Sequence, residues 1–187
     1  MILVIDTSSP SVALVATIDS NKVTWSSSPR LDRELLKSLV RTEKVSKIAV
    51  ASGPGSFTGL RVGVSFGLGL AMGLGIPIVP LPTLDLQAAR SDEPVTAVVE
   101  AGRGRFYFKV PGEGARLGEP AAIPATHALV GEVSDRGPLV AAGHRFLPEA
   151  ELRSFGEAAE ILLRTAREVP YRNLEIEYMQ SFSAPRK

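Results

Sequence analysis

The chain has 187 residues, 44% of them hydrophobic and 22% charged, with a formal net charge of +1, which suits one large or two small packed domains and excludes a disordered chain. So balanced a charge also excludes strong general attraction to nucleic acid, which needs clustered Lys and Arg. The absence of cysteine excludes disulfides, thiolate metal sites and a cysteine nucleophile, and His127 and His144 stand too far apart for metal-ligand spacing.

In chain order, Met1-Ile2-Leu3-Val4-Ile5-Asp6 has neither a basic n-region nor a small-residue cleavage site, so it reads as a first strand and a cytoplasmic location is expected. Thr7-Ser8-Ser9-Pro10 turns into a second strand, Val12 to Ile18, and Asp19-Ser20-Asn21 turns into a third at Val23-Thr24-Trp25. Leu31, Leu35, Leu36 and Leu39 recur at helical spacing, which predicts a helix from Leu31 to Val40. Ile48 to Ala51 is a short apolar strand running into Ser52-Gly53-Pro54-Gly55-Ser56. A helix is predicted from about Thr58 to Gly75, then a strand over Ile76 to Val79 and a helix over Leu84 to Arg90.

Val62 to Leu81 is twenty residues without a formal charge, long enough to cross a bilayer. Eight of the twenty are Gly, Pro or Ser, and Pro77 and Pro80 would break a single helix near its end. A buried helix followed by a buried strand is therefore expected, and no membrane.

A second segment starts after Ser91-Asp92-Glu93-Pro94. Val98-Val99-Glu100, the turn Ala101-Gly102-Arg103-Gly104 and Phe106-Tyr107-Phe108 mirror Val4-Ile5-Asp6, Thr7-Ser8-Ser9-Pro10 and Val12-Ala13-Leu14. In both, a strand ends in a carboxylate and a small-residue turn leads into a returning strand. Chance likeness of two hairpins and a duplicated domain both account for this. Gly112 to Pro148 is rich in Gly and Pro and is assigned short elements only; Glu157 to Glu168 is an amphipathic helix.

The segment Ser52-Gly-Pro-Gly-Ser-Phe-Thr-Gly-Leu-Arg-Val-Gly63 is the most specific feature. It is a strand end, a glycine turn and a helix start, with Ser56 or Thr58 as the cap. The Lys-Ser/Thr of a P-loop is absent. Behind it, Gly59, Gly63, Gly67, Ala71 and Gly75 fall four residues apart on one helix face. Glycine inside a helix costs roughly 0.5–1 kcal/mol relative to alanine, so close approach of another backbone is expected to compensate. That neighbour is either internal (the Leu31 to Val40 helix or the sheet beneath) or a helix of another chain. The intermolecular alternative defines an expected partner interface of Gly59, Gly63, Gly67, Ala71, Leu35 and Leu39.

Ser52 to Gly63 is similar to the Gly-Pro-Gly-Ser-Phe-Thr-Gly-x-Arg-x-Gly signature of the TsaB (YeaZ-like) family, a glycoprotease-like, TsaD-related group. Ile5-Asp6-Thr7-Ser8 and the run Ile76-Pro77-Ile78-Val79-Pro80-Leu81-Pro82-Thr83-Leu84 agree with it, and Tyr171-Arg172-Asn173 resembles the family's tail. The resemblance implies an α/β fold of two ribonuclease-H-like lobes of the actin/Hsp70/sugar-kinase superfamily, residues 1–92 and 93–187, the second reduced. It implies a non-catalytic scaffold subunit in making threonylcarbamoyladenosine at position 37 of tRNA. The implied partners are a TsaD-like catalytic paralogue and a TsaE-like ATPase, with tRNA touched only indirectly and a homodimer when the chain is alone. In that family, helices following the signature bundle with TsaD or pair two TsaB chains.

TsaD-like relatives hold a metal through His-x-Glu-x-His, and the same register here reads Thr83-Leu84-Asp85-Leu86-Gln87. No metal, cofactor or catalytic residue is therefore expected. The alternative is an ATP-dependent phosphotransferase, for which Asp6 and Glu100 occupy the strand-end acid positions of the superfamily. Glu100 precedes Ala101-Gly102-Arg103-Gly104-Arg105 rather than an uninterrupted run of small residues, and TsaB relatives commonly carry aspartate there. Asp6, Thr7 and Ser8 remain as candidates for weak nucleotide binding only.

Overall fold

The computed structural model describes residues 1–20, 22–32, 34–36 and 44–179. Strands β1 (Ile2–Asp6), β2 (Ala13–Asp19) and β3 (Lys22–Ser28) form an antiparallel meander. Next, β4 (Lys47–Gly53) pairs parallel with β1, and β5 (Ile78–Pro82) pairs parallel with β4. The sheet order is therefore β3-β2-β1-β4-β5. Helix α1 (Phe57–Leu74) makes the crossover from β4 to β5, and the short α2 (Thr83–Ala88) follows β5 directly.

Both faces of the central strands are buried, which is why they read as unbroken apolar runs rather than alternating ones. Leu3, Ile5, Ile48, Val50 and Ile78 pack with Val64 and Ala71 of α1 on one face. Val4, Ala16, Ala49 and Leu81 pack on the other with Leu86 of α2 and with Phe155 and Ala158 of a later helix. Strand β5 runs to Pro82, past the Val79 that its prolines suggested as an end. It lies at the edge of the sheet, so Pro80 and Pro82 sacrifice little ladder pairing.

The second sheet holds β6 (Thr96–Gly102), β7 (Arg105–Lys109), β8 (Arg116–Gly118) and β9 (Leu129–Val130) in the order β8-β7-β6-β9. Here β6 and β7 are antiparallel while β6 and β9 are parallel, repeating the β1/β2 and β1/β4 relationships. Asp6 pairs with Leu14 and Glu100 with Phe106, so the two acids occupy equivalent strand ends. The likeness of the two hairpins is thus architectural. With four strands, one of two residues, and the five-residue α3 (Gly137–Ala141), the second lobe is the smaller.

Residue 92 separates the two sheets, but the chain crosses back. Helix α4 (Phe155–Leu163) starts at a Ser154–Glu157 capping box and lies on the first sheet, with Gly156 against Val23 and Ala16. Beyond it Val169 bridges to Ile78, and the Tyr171 hydroxyl donates to the carbonyls of Ala71 and Ile76 at the end of α1. The lobes meet where Leu84 of α2 packs on Ala97, Val99 and Tyr107 of the second sheet.

Helix α1 is long and apolar enough by composition to cross a membrane. In the fold, its Leu60, Gly63, Val64, Gly67 and Ala71 face covers β1 and β4, and a strand follows it as expected. Gly75 ends it in the left-handed region at φ 64°.

Candidate functional site

The Ser52–Ser56 loop joins β4 to α1 and is held from three sides. Ser56 caps α1, its side chain accepting from the Gly59 N–H at 3.2 Å, while its own N–H donates to the Ser8 carbonyl at 2.7 Å. The Gly53 N–H donates to the Thr83 hydroxyl at 3.1 Å. The Glu177 N–H, arriving from the far end of the chain, donates to the Ser52 carbonyl at 2.8 Å. Gly53 needs to be glycine twice over, because its φ is 109° and a Cβ would lie 2.7 Å from the Glu177 carbonyl oxygen.

The regular glycine row of α1 faces inward. A Cβ at Gly59 would fall under 3.0 Å from the Thr7 carbonyl, one at Gly63 from the Thr7 hydroxyl, and one at Gly67 from a Val50 methyl. Ala71 is fully buried in the same core, and so is Leu35 at 5% exposure. The expected partner interface of Gly59, Gly63, Gly67, Ala71 and Leu35 is therefore corrected. These residues are small or apolar because β1 and β4 lie directly against them, and the internal alternative holds. Leu39 lies outside the described residues.

The opposite side of α1 is open and apolar. Val62, Phe66 and Met72 are 47%, 37% and 58% exposed. Between them Ser65, Gly69 and Gly73 form a second row at four-residue spacing, and a Cβ at Gly69 or Gly73 would meet nothing within 4 Å. The sequence carried this signal, but two interleaved rows of small residues share one helix and the inner one is longer. Beside the exposed face a cavity of ≈ 190 Å³ opens among Thr7, Pro10, Arg30, Thr58 and Val62.

The strand-end acids are arranged differently from each other. Asp6 is 2% exposed, and its Oδ1 accepts from the Ser8 N–H at 2.7 Å. Burial pushes its carboxyl above the ordinary 3.8, against the Ser8 hydrogen bonds and with the help of the Glu132 charge. Thr7 and Ser8 are also buried, and the Thr7 hydroxyl donates to the Gly59 carbonyl at 2.6 Å. The three sequence candidates thus stand together, but Thr7 and Asp6 spend polar atoms on their own lobe. Glu100 is half-buried and accepts from the Ser134 hydroxyl through both oxygens, at 2.8 and 2.6 Å. Arg103, in the turn that follows, is exposed with φ 56°.

The register that would hold a metal in TsaD-like relatives does not fit one here. Thr83 is buried with its hydroxyl taken by Gly53, Asp85 is paired with Lys109, and the Gln87 Oε1 is buried without a hydrogen-bond partner. One carboxylate already committed to an ammonium is a poor transition-metal ligand set. Among the described residues no three His, Asp or Glu side chains cluster.

The family model for TsaD, described as tRNA N6-adenosine threonylcarbamoyltransferase, matches residues 28–137, more than half of the chain. The chain belongs to the TsaD family. Its similarity to individual proteins points to the TsaB/YeaZ-like members of that family. It is 40% identical over 68 residues to the tRNA threonylcarbamoyladenosine biosynthesis protein TsaB of Bacillus subtilis (strain 168), covering 35% of this chain and 30% of that protein. It is 33% identical over 85 residues to the TsaB of Haemophilus influenzae, covering 43% of this chain and 36% of that one. The matched segments thus span about a third of these curated relatives. The solved structure of YeaZ from Pseudomonas aeruginosa aligns with a TM-score of 0.70 at 20% identity, covering 95% of this chain and 99% of that one. Likeness at this identity concerns the fold, which is the two-lobed one described above.

Proposed function

We propose that this chain is a non-catalytic subunit in the biosynthesis of threonylcarbamoyladenosine on tRNA, acting in the cytoplasm. It docks the outer face of α1 onto a TsaD-like catalytic paralogue. The observation that carries this reading is the exposed row Ser65, Gly69 and Gly73 flanked by Val62, Phe66 and Met72. An exposed helix gains nothing from two interior glycines, whereas a partner helix gains close approach and apolar burial from them. The cavity beside Val62 offers room for an inserted side chain. A TsaD-like protein is the proposed occupant because the named relatives are threonylcarbamoyladenosine biosynthesis proteins, and the TsaD family is described as the transferase of that modification.

The absence of catalysis is supported by the site chemistry. The Asp6 carboxylate and the Thr7 hydroxyl are already engaged within their own lobe, by the Ser8 N–H and the Gly59 carbonyl, so nucleotide binding at Asp6, Thr7 and Ser8 is weak at most. The TsaE-like ATPase, an indirect relation to tRNA, and self-pairing in the absence of TsaD complete the proposal.

The test is calorimetric titration of the full chain with the TsaD protein of the same cell, using wild type, Phe66→Glu and Met72→Glu. Both substitutions lie on exposed positions, so circular dichroism is expected to be unchanged while binding is lost. Wild type that fails to bind TsaD, or glutamate variants that bind equally well, would overturn the proposal.

A further inference from the structure

The row Ser65, Gly69, Gly73 continues, four residues earlier, to Arg61. The Arg61 guanidinium stacks 3.9 Å from the centre of the Phe57 ring, and its Nε donates to the Tyr178 hydroxyl at 3.3 Å. The Tyr178 ring in turn tilts at 46° onto Phe57 with centroids 5.3 Å apart. Tyr178 reaches this place because the tail is anchored on both sides of it. Glu177 bonds to Ser52, and Met179 packs with Leu84, Val99 and Tyr107 at the lobe junction. The Phe57 ring and the Tyr178 hydroxyl thus fix a cation at the N-terminal end of the exposed face. Among the described residues, the ion pairs engage Lys47, Arg90, Lys109, Arg116 and Arg153, and no carboxylate meets Arg61.

The geometry points to Arg61 as the specificity anchor of the docking face, oriented by Phe57 and Tyr178 to take a carboxylate presented by the same protein partner. The inference rests on the docking face proposed above and adds the chemistry of one of its contacts. A guanidinium stacked on an aromatic ring has already lost its rotamer freedom and part of its hydration, which makes it a strong acceptor-seeking group at an interface. Arg and Tyr are also, with Trp, among the side chains enriched in residues that dominate binding. The tail is thereby part of the docking surface, since it supplies Tyr178.

The test measures affinity of the full chain for its TsaD protein at two salt concentrations, with melting curves as a check of fold. Arg61→Gln is expected to weaken binding by about 30-fold, the loss typical of a dominant contact, and to flatten the salt dependence. Arg61→Lys, which keeps the charge but not the planar stack, is expected to leave most of that loss unrestored. Tyr178→Phe, which removes only the hydroxyl, is expected to weaken binding by about threefold. Arg61→Gln binding within about twofold of wild type while Met72→Glu abolishes binding would overturn this inference and leave the docking face standing. If Met72→Glu also binds normally, or wild type does not bind, both fall.

Discussion

The Thr7 hydroxyl donates a 2.6 Å hydrogen bond to the carbonyl of Gly59, tying the end of β1 to the first turn of α1. At that separation no side chain fits between strand and helix, and the inner and outer glycines of α1 should answer one substitution with opposite signs. Gly59→Ala drives a Cβ into the Thr7 carbonyl and is expected to destabilise the fold by about 1–3 kcal/mol. Gly69→Ala meets open space and is expected to stabilise it by about 0.5–1 kcal/mol through helix propensity. Urea unfolding of the two variants reads the difference directly, and equal signs would mean that the inner face is not packed as described.

Asp6 predicts a pH dependence of stability. Its folded pKa is raised by burial, so the folded state holds its proton more tightly than the unfolded chain does. The Asp6 contribution to stability is then greatest below the ordinary value of 3.8 and is lost as pH rises through the raised folded value. Asp6→Asn keeps an oxygen for the Ser8 N–H and removes the charge. The variant is expected to unfold at higher urea than wild type at pH 7, with the gap closing toward pH 3. A variant that is less stable at pH 7 would mean that buried partners favour the ionised form.

Arg90 couples the lobes. Its guanidinium, almost fully buried, donates to Glu132 at 3.3 Å, to Glu149, and to the Arg153 carbonyl at 3.2 Å. Arg90→Met is expected to cost about 1–3 kcal/mol, because it removes the charge-assisted bond to the partly buried Glu132 and leaves the Arg153 carbonyl without its guanidinium donor. Adding Glu132→Gln should recover part of the loss, and additive effects in that double-mutant cycle would refute the coupling.

Much of the fold was legible in local pattern. The apolar runs of β1, β4 and β6, each bounded by turn residues, needed no knowledge of their neighbours. Gly75 marked the end of α1 because a left-handed residue stops a helix wherever it lies. The Ser154–Glu157 capping box, visible in sequence, also explains why α4 begins at Phe155 rather than at Glu157. The run of β5 through Pro80 and Pro82 was not legible, since tolerance of proline depends on lying at an edge, and an edge is a property of the whole sheet.

The candidate site divides in the same way. The sequence by itself determined that α1 must carry a face almost free of side chains, because glycines at four-residue spacing allow no other reading. Which of its two interleaved rows meets the sheet was decided by the tertiary structure. The Ser56 cap and the Thr7 and Ser8 contacts set the rotation of the helix about its axis, and periodicity carries no information about that angle. Tyr178 lies 117 residues from Arg61, and only the path of the chain back across the first lobe brings them together. Local pattern specifies elements and their small faces; the partner of each face is a long-range fact, supplied when strands from distant segments close the core.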